Sequence, residues 1–368
     1  MKKFLNIFFI AIVLCGGIIG ITHACSSNQI DIGNGNCENA KFTITTTNLE
    51  NNTTFAFYMS ASGTFYVDWG DGTVDTIVRN DTINTNYSHT YATGGVKTIR
   101  FGGLATGYSI GNYLYRDYTA IRFGGQCTDS TVTRELIASI NGSLGAIFPT
   151  LGLNSGQQPS FRSVFECVKT INSLPENLFS GITGTGVPYM FTSAFDNCSG
   201  LQSIPAGLFS GITNGADHMF QHCFYACHGL TGIPPRLFAN ITTGADYMFY
   251  TTFWSCNYIT GFVPNDLFSS GLTGPDLMTD IFYHNTSLAT SCPTGYHQYI
   301  TGYENYWDGH VSCEPNTINI TWEDATPESV AANNAGSCTY GGTINTPAVA
   351  PTKRGYIFTG WTFDTSNN

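Results

Sequence analysis

A chain of 368 residues has room for roughly two to four domains. Hydrophobic residues make up 42% and charged residues 11%, with 41 glycines, which excludes wholesale disorder and suits turn-rich repeats and short strands better than a helical bundle. The net charge of −11 argues against a nucleic-acid partner and against a polybasic membrane patch, and serves solubility.

The first 24 residues carry a positive start at Lys2 and Lys3 and an apolar core from Phe4 to Ile21. Thr22 and Ala24 stand at −3 and −1 of a cleavage site. This pattern predicts an export signal, residues 1–24, with no membrane span left in the mature chain. A retained anchor is the competing reading, because the apolar stretch is long. Cys25 follows directly, so a lipoprotein signal is a second one, although Thr22-His23-Ala24 lacks the aliphatic residue usual at −3. An exported chain can form disulfides. Of 12 cysteines, Cys15 lies in the signal, and the remaining 11 cannot all pair within one molecule.

Residues 25–40 are polar and rich in Gly and Asn, and read as a linker. From Phe42 the pattern alternates through Ile44 and later Phe55 and Phe57, predicting strands of a half-buried sheet. Phe65 to Asp68 then runs into Trp69-Gly70-Asp71-Gly72, an aromatic strand entering an Asp-Gly turn, with Thr76 to Val78 as the return. His89-Thr90-Tyr91 precedes a last strand at 96–101. The Trp-Gly-Asp-Gly turn followed by His-Thr-Tyr resembles the polycystic-kidney-disease (PKD) type of immunoglobulin-like domain over residues 41–108. The resemblance implies a β-sandwich, with Trp69, Asp71 and Gly72 structural. Asp68, Asp71 and Asp75 also admit a calcium loop. The alternative is a tight turn in which Asp71 bonds its own backbone, and it is preferred because no terminal Glu ligand is present.

Residues 109–288 are expected to form a solenoid, with an entry and cap over 109–160 and repeats over 161–288. The pairs Leu178-Phe179, Leu208-Phe209, Leu237-Phe238 and Leu267-Phe268 recur at 30, 29 and 30 residues. Pro175, Pro205, Pro234 and Pro264 keep that rhythm, and Cys167, Cys198, Cys227 and Cys256 follow at 31, 29 and 29. A fixed period in this range marks stacked repeats. Ile140 to Pro149 reads as a degenerate first unit. Met219, Phe220, Cys223, Phe224 and Cys227 fall at i, i+1, i+4, i+5 and i+8, which predicts one apolar face of a short helix. The stretch Leu201 to Ile204 then predicts a very short strand ended by Pro205. The ladder Phe165, Phe195, Phe224, Phe253 and Phe282 is expected to be structural, since a buried Phe contributes ~2–3 kcal/mol. Met-Phe, Phe-x-x-Cys, Leu-x-x-Ile-Pro and Leu-Phe in this order resemble the BspA-like bacterial surface leucine-rich repeats. That resemblance implies an exported surface protein that adheres to host or microbial partners. The period of 29–30 is longer than the one commonest in that family.

Residues 289–316 form a connector in which Cys292 and Cys313 bracket an aromatic loop, a candidate disulfide worth ~3 kcal/mol. From Thr317, Tyr340-Gly341-Gly342, Pro351-Thr352-Lys353-Arg354-Gly355-Tyr356 and Phe358-Thr359-Gly360-Trp361 resemble the Listeria–Bacteroides repeat, the B-repeat of internalin-like proteins. The implied fold over 317–363 is a small β-grasp-like module, with a tail at 364–368. The expected whole is multidomain and β-rich: an immunoglobulin-like β-sandwich, a leucine-rich-repeat-like α/β solenoid and the C-terminal module.

His218, His222, Cys223, Cys227 and His228 raise a zinc site, since His218 and His222 at i, i+4 would share a helical face. His218 aligns with Tyr189 and Tyr247, and His222 with Ser193 and Thr251, which marks them as variable outward positions instead. The repeat cysteines are expected to be buried free thiols, because parallel side chains in adjacent units do not converge. No nucleophile elbow, zinc-protease motif, phosphate loop or dinucleotide fingerprint occurs. The reading is a non-enzymatic surface protein without cofactor that binds a host or microbial surface protein or glycan. Tyr189, His218 and Tyr247 are its contact candidates. A carbohydrate-binding module and a ligand-free envelope spacer are the alternatives.

Overall fold

The computed structural model describes residues 25–110, 118–124, 127, 132–154, 156–272, 277–293, 296–298, 309–315, 317–319 and 337–339. The export signal lies outside the described residues, as does most of the C-terminal module. The chain opens on a hairpin, β1 (Gln29–Gly33) with β2 (Asn36–Asn39), where a linker was expected. A disulfide from Cys25 to Cys37 ties it, with Cα atoms 5.7 Å apart.

The following strands are β3 (Phe42–Thr46), β4 (Thr53–Met59), β5 (Ala61–Asp68), β6 (Val74–Arg79), β7 (Thr85–Tyr91), β8 (Thr98–Tyr108), β9 (Ile121–Arg122) and β10 (Ile137–Gly142). They form a five-stranded sheet in the order β10-β3-β8-β5-β6 and a three-stranded sheet in the order β7-β4-β9. Every second residue of β5 is buried, as the alternating pattern requires of a strand with one face on a core. Phe42, Ile44, Phe65, Val67 and Phe101 of the larger sheet meet Phe55, Phe57 and Met59 of the smaller one. The sandwich therefore runs past residue 108 and takes its closing strands from the stretch expected to begin the repeats.

Trp69 is fully buried, and its Nε1 donates to Asp75 at 2.9 Å. Asp68 and Asp71 accept the backbone N–H of Gly70 and Thr73, and Gly70 and Gly72 supply the positive φ that the turn needs. Asp68 also pairs with Arg100 at 3.0 Å, and Asp71 with His89 at 2.7 Å. The three carboxylates of the candidate calcium loop thus serve three different internal partners.

The repeats do not form the expected α/β leucine-rich-repeat solenoid. Among the described residues there is no α-helix, and no sheet runs through the units. Short parallel pairings replace it, between β11 (Gly184–Thr185) and β12 (Ile212–Asn214) and at the bridge Asn214 to Thr243. The segment Leu201 to Ile204 is not a strand.

Each Met-Phe segment is instead a ribbon of overlapping turns. In the second unit the N–H groups of Tyr189, Phe191, Ser193, Phe195 and Asn197 donate to carbonyls of the next unit, those of Asp217, Met219, Gln221, Cys223 and Tyr225, at 2.7–3.0 Å. The intervening N–H groups of Met190, Thr192, Ala194, Asp196 and Cys198 donate three residues back, at 3.1–3.3 Å. Tyr189, Ser193 and Asn197 take φ of 60°, 53° and 56°, and His218, His222 and Ala226 repeat this at 55°, 54° and 52°. A left-handed residue at every fourth position is incompatible with an α-helix. Two residues point in and two point out, with a period of four. That period lies close enough to 3.6 to imitate a helical face over nine residues.

The stack is closed at both ends. Phe165 lies parallel on Phe123 of the sandwich, with centroids 5.6 Å apart. At the other end Val263 donates to Val311, Val311 to Ala289 and Ala289 to Gly261. These bonds hold the segment around the Cys292–Cys313 disulfide against the last unit. Beyond it, β13 (Tyr296–Gln298) pairs with β14 (Cys313–Pro315), and β15 (Thr317–Asn319) with β16 (Ser337–Thr339).

Candidate interaction face

The outward half of the turn ribbons carries the residues singled out as contact candidates. Left-handed backbone turns Tyr189, His218 and Tyr247 out at the same place in three successive units. Their rings form one column: Tyr189 stacks on His218 at 4.8 Å and 18°, and His218 on Tyr247 at 5.3 Å and 29°. Arg162, from the first unit, places its guanidinium over the Tyr189 ring at 5.2 Å. Tyr250 meets Tyr247 edge to face at 5.8 Å.

A second column runs seven residues further along each ribbon. Tyr225 stacks on Trp254 at 6.2 Å, and Trp254 meets Tyr283 at 4.5 Å and 44°. In the first two units the same column holds Glu166 and Asp196. Sequence reading missed Arg162, Tyr225, Trp254 and Tyr283, because a period of 3.6 scatters them around a helix. Reading the ribbon with a period of four collects them on one side.

Burial lowers the pKa of His218, and the Arg162 charge adds to that, while the carboxylates of Asp217 and Asp246 oppose it. Burial, followed by the Arg162 charge, lowers His222 likewise. Both rings are therefore held neutral into mildly acidic conditions. They do not make a metal site with the nearby cysteines: Cys223 and Cys227 are fully buried on the inner side, while His228 is exposed. Among the described residues no group of three or more His, Cys, Asp or Glu could hold a metal ion.

The inner side is a closed apolar stack. Phe195, Phe224 and Phe253 lie parallel at 5.3 and 5.5 Å, and Phe191, Phe220 and Phe249 at 5.5 and 5.4 Å. Leu-Phe rings insert from the opposite wall, Phe209 lying 4.9 Å from Phe191 and 4.8 Å from Phe220. The thiols of Cys198, Cys227 and Cys256 are free, and each donates to the carbonyl of a ladder phenylalanine in the preceding unit, Phe165, Phe195 and Phe224, at 3.0–3.1 Å.

Cys167 does not belong to that set. Its place among the free thiols is corrected by a disulfide to Cys127, and Val168 fills the inward position in the first unit. Cys167 has φ of 62° and shares the left-handed column of Asn197, Ala226, Ser255 and His284.

Comparison with family models, with curated protein sequences and with solved structures returns no match. Among the described residues no helix is long and apolar enough to cross a membrane.

Proposed function

We propose that this chain is an exported, non-enzymatic bacterial surface protein that adheres to a partner through the outward face of its turn ribbons. The observation that carries the reading is the column Tyr189, His218 and Tyr247, three large rings held in register on a rigid outer surface. Interfaces draw their binding energy from such anchors, because aromatic side chains bring large area with little rotamer freedom to lose. Stacking fixes these rings before a partner arrives, which reduces the ordering cost of association. The inner side is filled by the phenylalanine stack and leaves no room for a ligand, so recognition falls to the outer side.

The similarity of the repeat motifs to BspA-like surface repeats and of the C-terminal motifs to B-repeats supports a surface role. The three disulfides among the described residues suit an exported chain. The sulfur of Cys25 is joined to Cys37, so it is not available for a lipid thioether, which favours export by a cleaved signal over lipoprotein anchoring.

The test is binding of the fluorescently labelled mature chain to intact host epithelial and bacterial cells. The triple substitution Tyr189→Ala, His218→Ala, Tyr247→Ala is expected to weaken cell binding by about tenfold or more. Unchanged binding, with the fold intact by circular dichroism, overturns the assignment of this face.

A further inference from the structure

The ribbon face has a charge pattern as well as an aromatic one. Asp217 and Asp246 immediately precede His218 and Tyr247, and both are exposed. Their backbones stack in register, the Asp246 carbonyl accepting the N–H of His218 just as the Asp217 carbonyl accepts that of Tyr189. Two like charges thus recur one strand spacing apart, at ~5 Å. Among the described residues neither carboxylate has a salt-bridge partner. Lys and Arg are missing from the ribbon segments 187–198, 216–227, 245–256 and 277–285, and Asp196 and Asp280 add to their negative charge.

Within the column, ring faces are covered by the neighbouring rings at 4.8 and 5.3 Å. A sugar that needs an open aromatic face finds little there. What the column offers to solvent is ring edges, phenolic oxygens and carboxylates. At the Tyr189 end of the column the ring already carries a guanidinium, that of Arg162. Cations are what such a surface attracts, through the carboxylates and through any free ring face.

We propose that the partner is a protein segment bearing arginine or lysine side chains, which seats them against Asp217 and Asp246 beside the Tyr189–His218–Tyr247 column. This rests on the assignment of the ribbon face as the contact surface. Arginine is enriched at protein interfaces, where it combines a charge with a planar face for stacking.

The probe is a twelve-residue synthetic peptide of alternating Arg and Ser, with a Glu/Ser peptide and a chitin oligosaccharide as comparisons, titrated into the full mature chain. The Arg/Ser peptide is expected to bind, and the double substitution Asp217→Asn, Asp246→Asn to weaken it by about tenfold. The pair Asp31→Asn, Glu50→Gln removes the same charge from the sandwich end and is expected to leave affinity unchanged. Equal loss with both pairs means that net charge alone attracts the peptide, and overturns the proposal. Binding of the oligosaccharide in place of the peptide, lost on Tyr247→Ala, overturns it in favour of a glycan. Cell binding that needs Tyr247 but not the two aspartates keeps the contact face and discards the cationic partner. Cell binding that needs none of them discards the face itself.

Discussion

At each step of the inner stack the side chain at one repeated position meets a carbonyl of the preceding unit. Cys198, Cys227 and Cys256 do so with a thiol, and Asn285 does so with its amide nitrogen, which donates to Phe253 at 2.8 Å. The position therefore selects a small donor rather than a reactive sulfur. Burial pushes up the four thiols free among the described residues, Cys256 to about 12, so thiolate is scarce at neutral pH. Cys198, Cys223, Cys227 and Cys256 are expected to resist maleimide in the native protein and to react once it is unfolded, as peptide mass mapping would register. Labelling of any of the four under native conditions contradicts their enclosure. The sequence told these thiols from disulfide partners at three of the four repeat positions. At the first, the Cys167 to Cys198 spacing of 31 against the ladder spacing of 30 was the legible sign that Cys167 is one residue out of phase. At the same scale, burial tends to raise the Asp71 pKa, but the His89 contact and the Thr73 hydroxyl and N–H lower it on balance. A depressed carboxylate contributes stability that is present above its unfolded value near 3.8 and is lost as pH falls through the folded value. Asp71→Asn should therefore lower the melting temperature at neutral pH and flatten its fall below pH ~4, measured by circular dichroism from pH 2 to 7.

The turn ribbon explains which parts of an element the sequence can disclose. The inward set Met219, Phe220, Cys223, Phe224 and Cys227 was legible as one face, and all five are fully buried. The backbone beneath it was not, because hydrophobic spacing reports which side a residue occupies and not which φ it adopts. Left-handed residues at His218, His222 and Ala226 carry no glycine signal in the sequence. They are held by hydrogen bonds to the next unit, a tertiary constraint that local propensity does not encode. The ribbon predicts a sharp contrast between neighbours. Phe224→Ala opens a void between Phe195 and Phe253 and is expected to destabilise by about 3–5 kcal/mol, whereas Tyr225→Ala should stay within about 1 kcal/mol. Urea denaturation of the two variants compares them directly. A second prediction belongs to the outer side. His218 and His222 are depressed, so the unfolded chain takes up their protons first as pH falls. Their contribution is complete above the unfolded value near 6.5 and is lost as pH falls from there towards the folded values. Thermal midpoints should drop between pH 7 and pH 5, and His218→Phe with His222→Gln should reduce that drop. A slope unchanged by the pair would place the titration elsewhere.

Taken whole, the molecule is organised by how its repeats end. A stack of turn ribbons leaves an open apolar face and unpaired backbone groups at each terminus, and repeat proteins need caps for that reason. Here the β-sandwich is the first cap. The N–H groups of Phe123 and Gly124 both donate to Val164, that of Ala105 to Ile147 and that of Ala120 to Ser160, at 2.7–3.0 Å. Phe123 touches Phe42, Phe57 and Phe101 on one side and Phe165 on the other, so a single cluster of rings runs from the sandwich into the stack. Two domains named from two separate motifs thus share one hydrophobic core. The motifs disclosed each half, but the junction is built from residues 118–124, which match neither motif, and from 137–148, which match the repeat only in the degenerate form of Ile140 to Pro149. Shared burial couples their stabilities. On denaturation, amide protection in β4 and β5 and in the ribbons around Phe195 and Phe224 is expected to be lost at one urea concentration, followed by hydrogen exchange with mass spectrometry. Phe123→Ala, which removes a ring common to both halves, should lower that shared midpoint by about 3–5 kcal/mol of stability in both sets of peptides. Independent domains would separate into two midpoints, and Phe123→Ala would then shift the sandwich while leaving the ribbons where they were. Because the proposed contact face lies on units stacked on this cap, a sandwich that merely spaced the repeats from the cell would be dispensable for binding, whereas one that caps them is not.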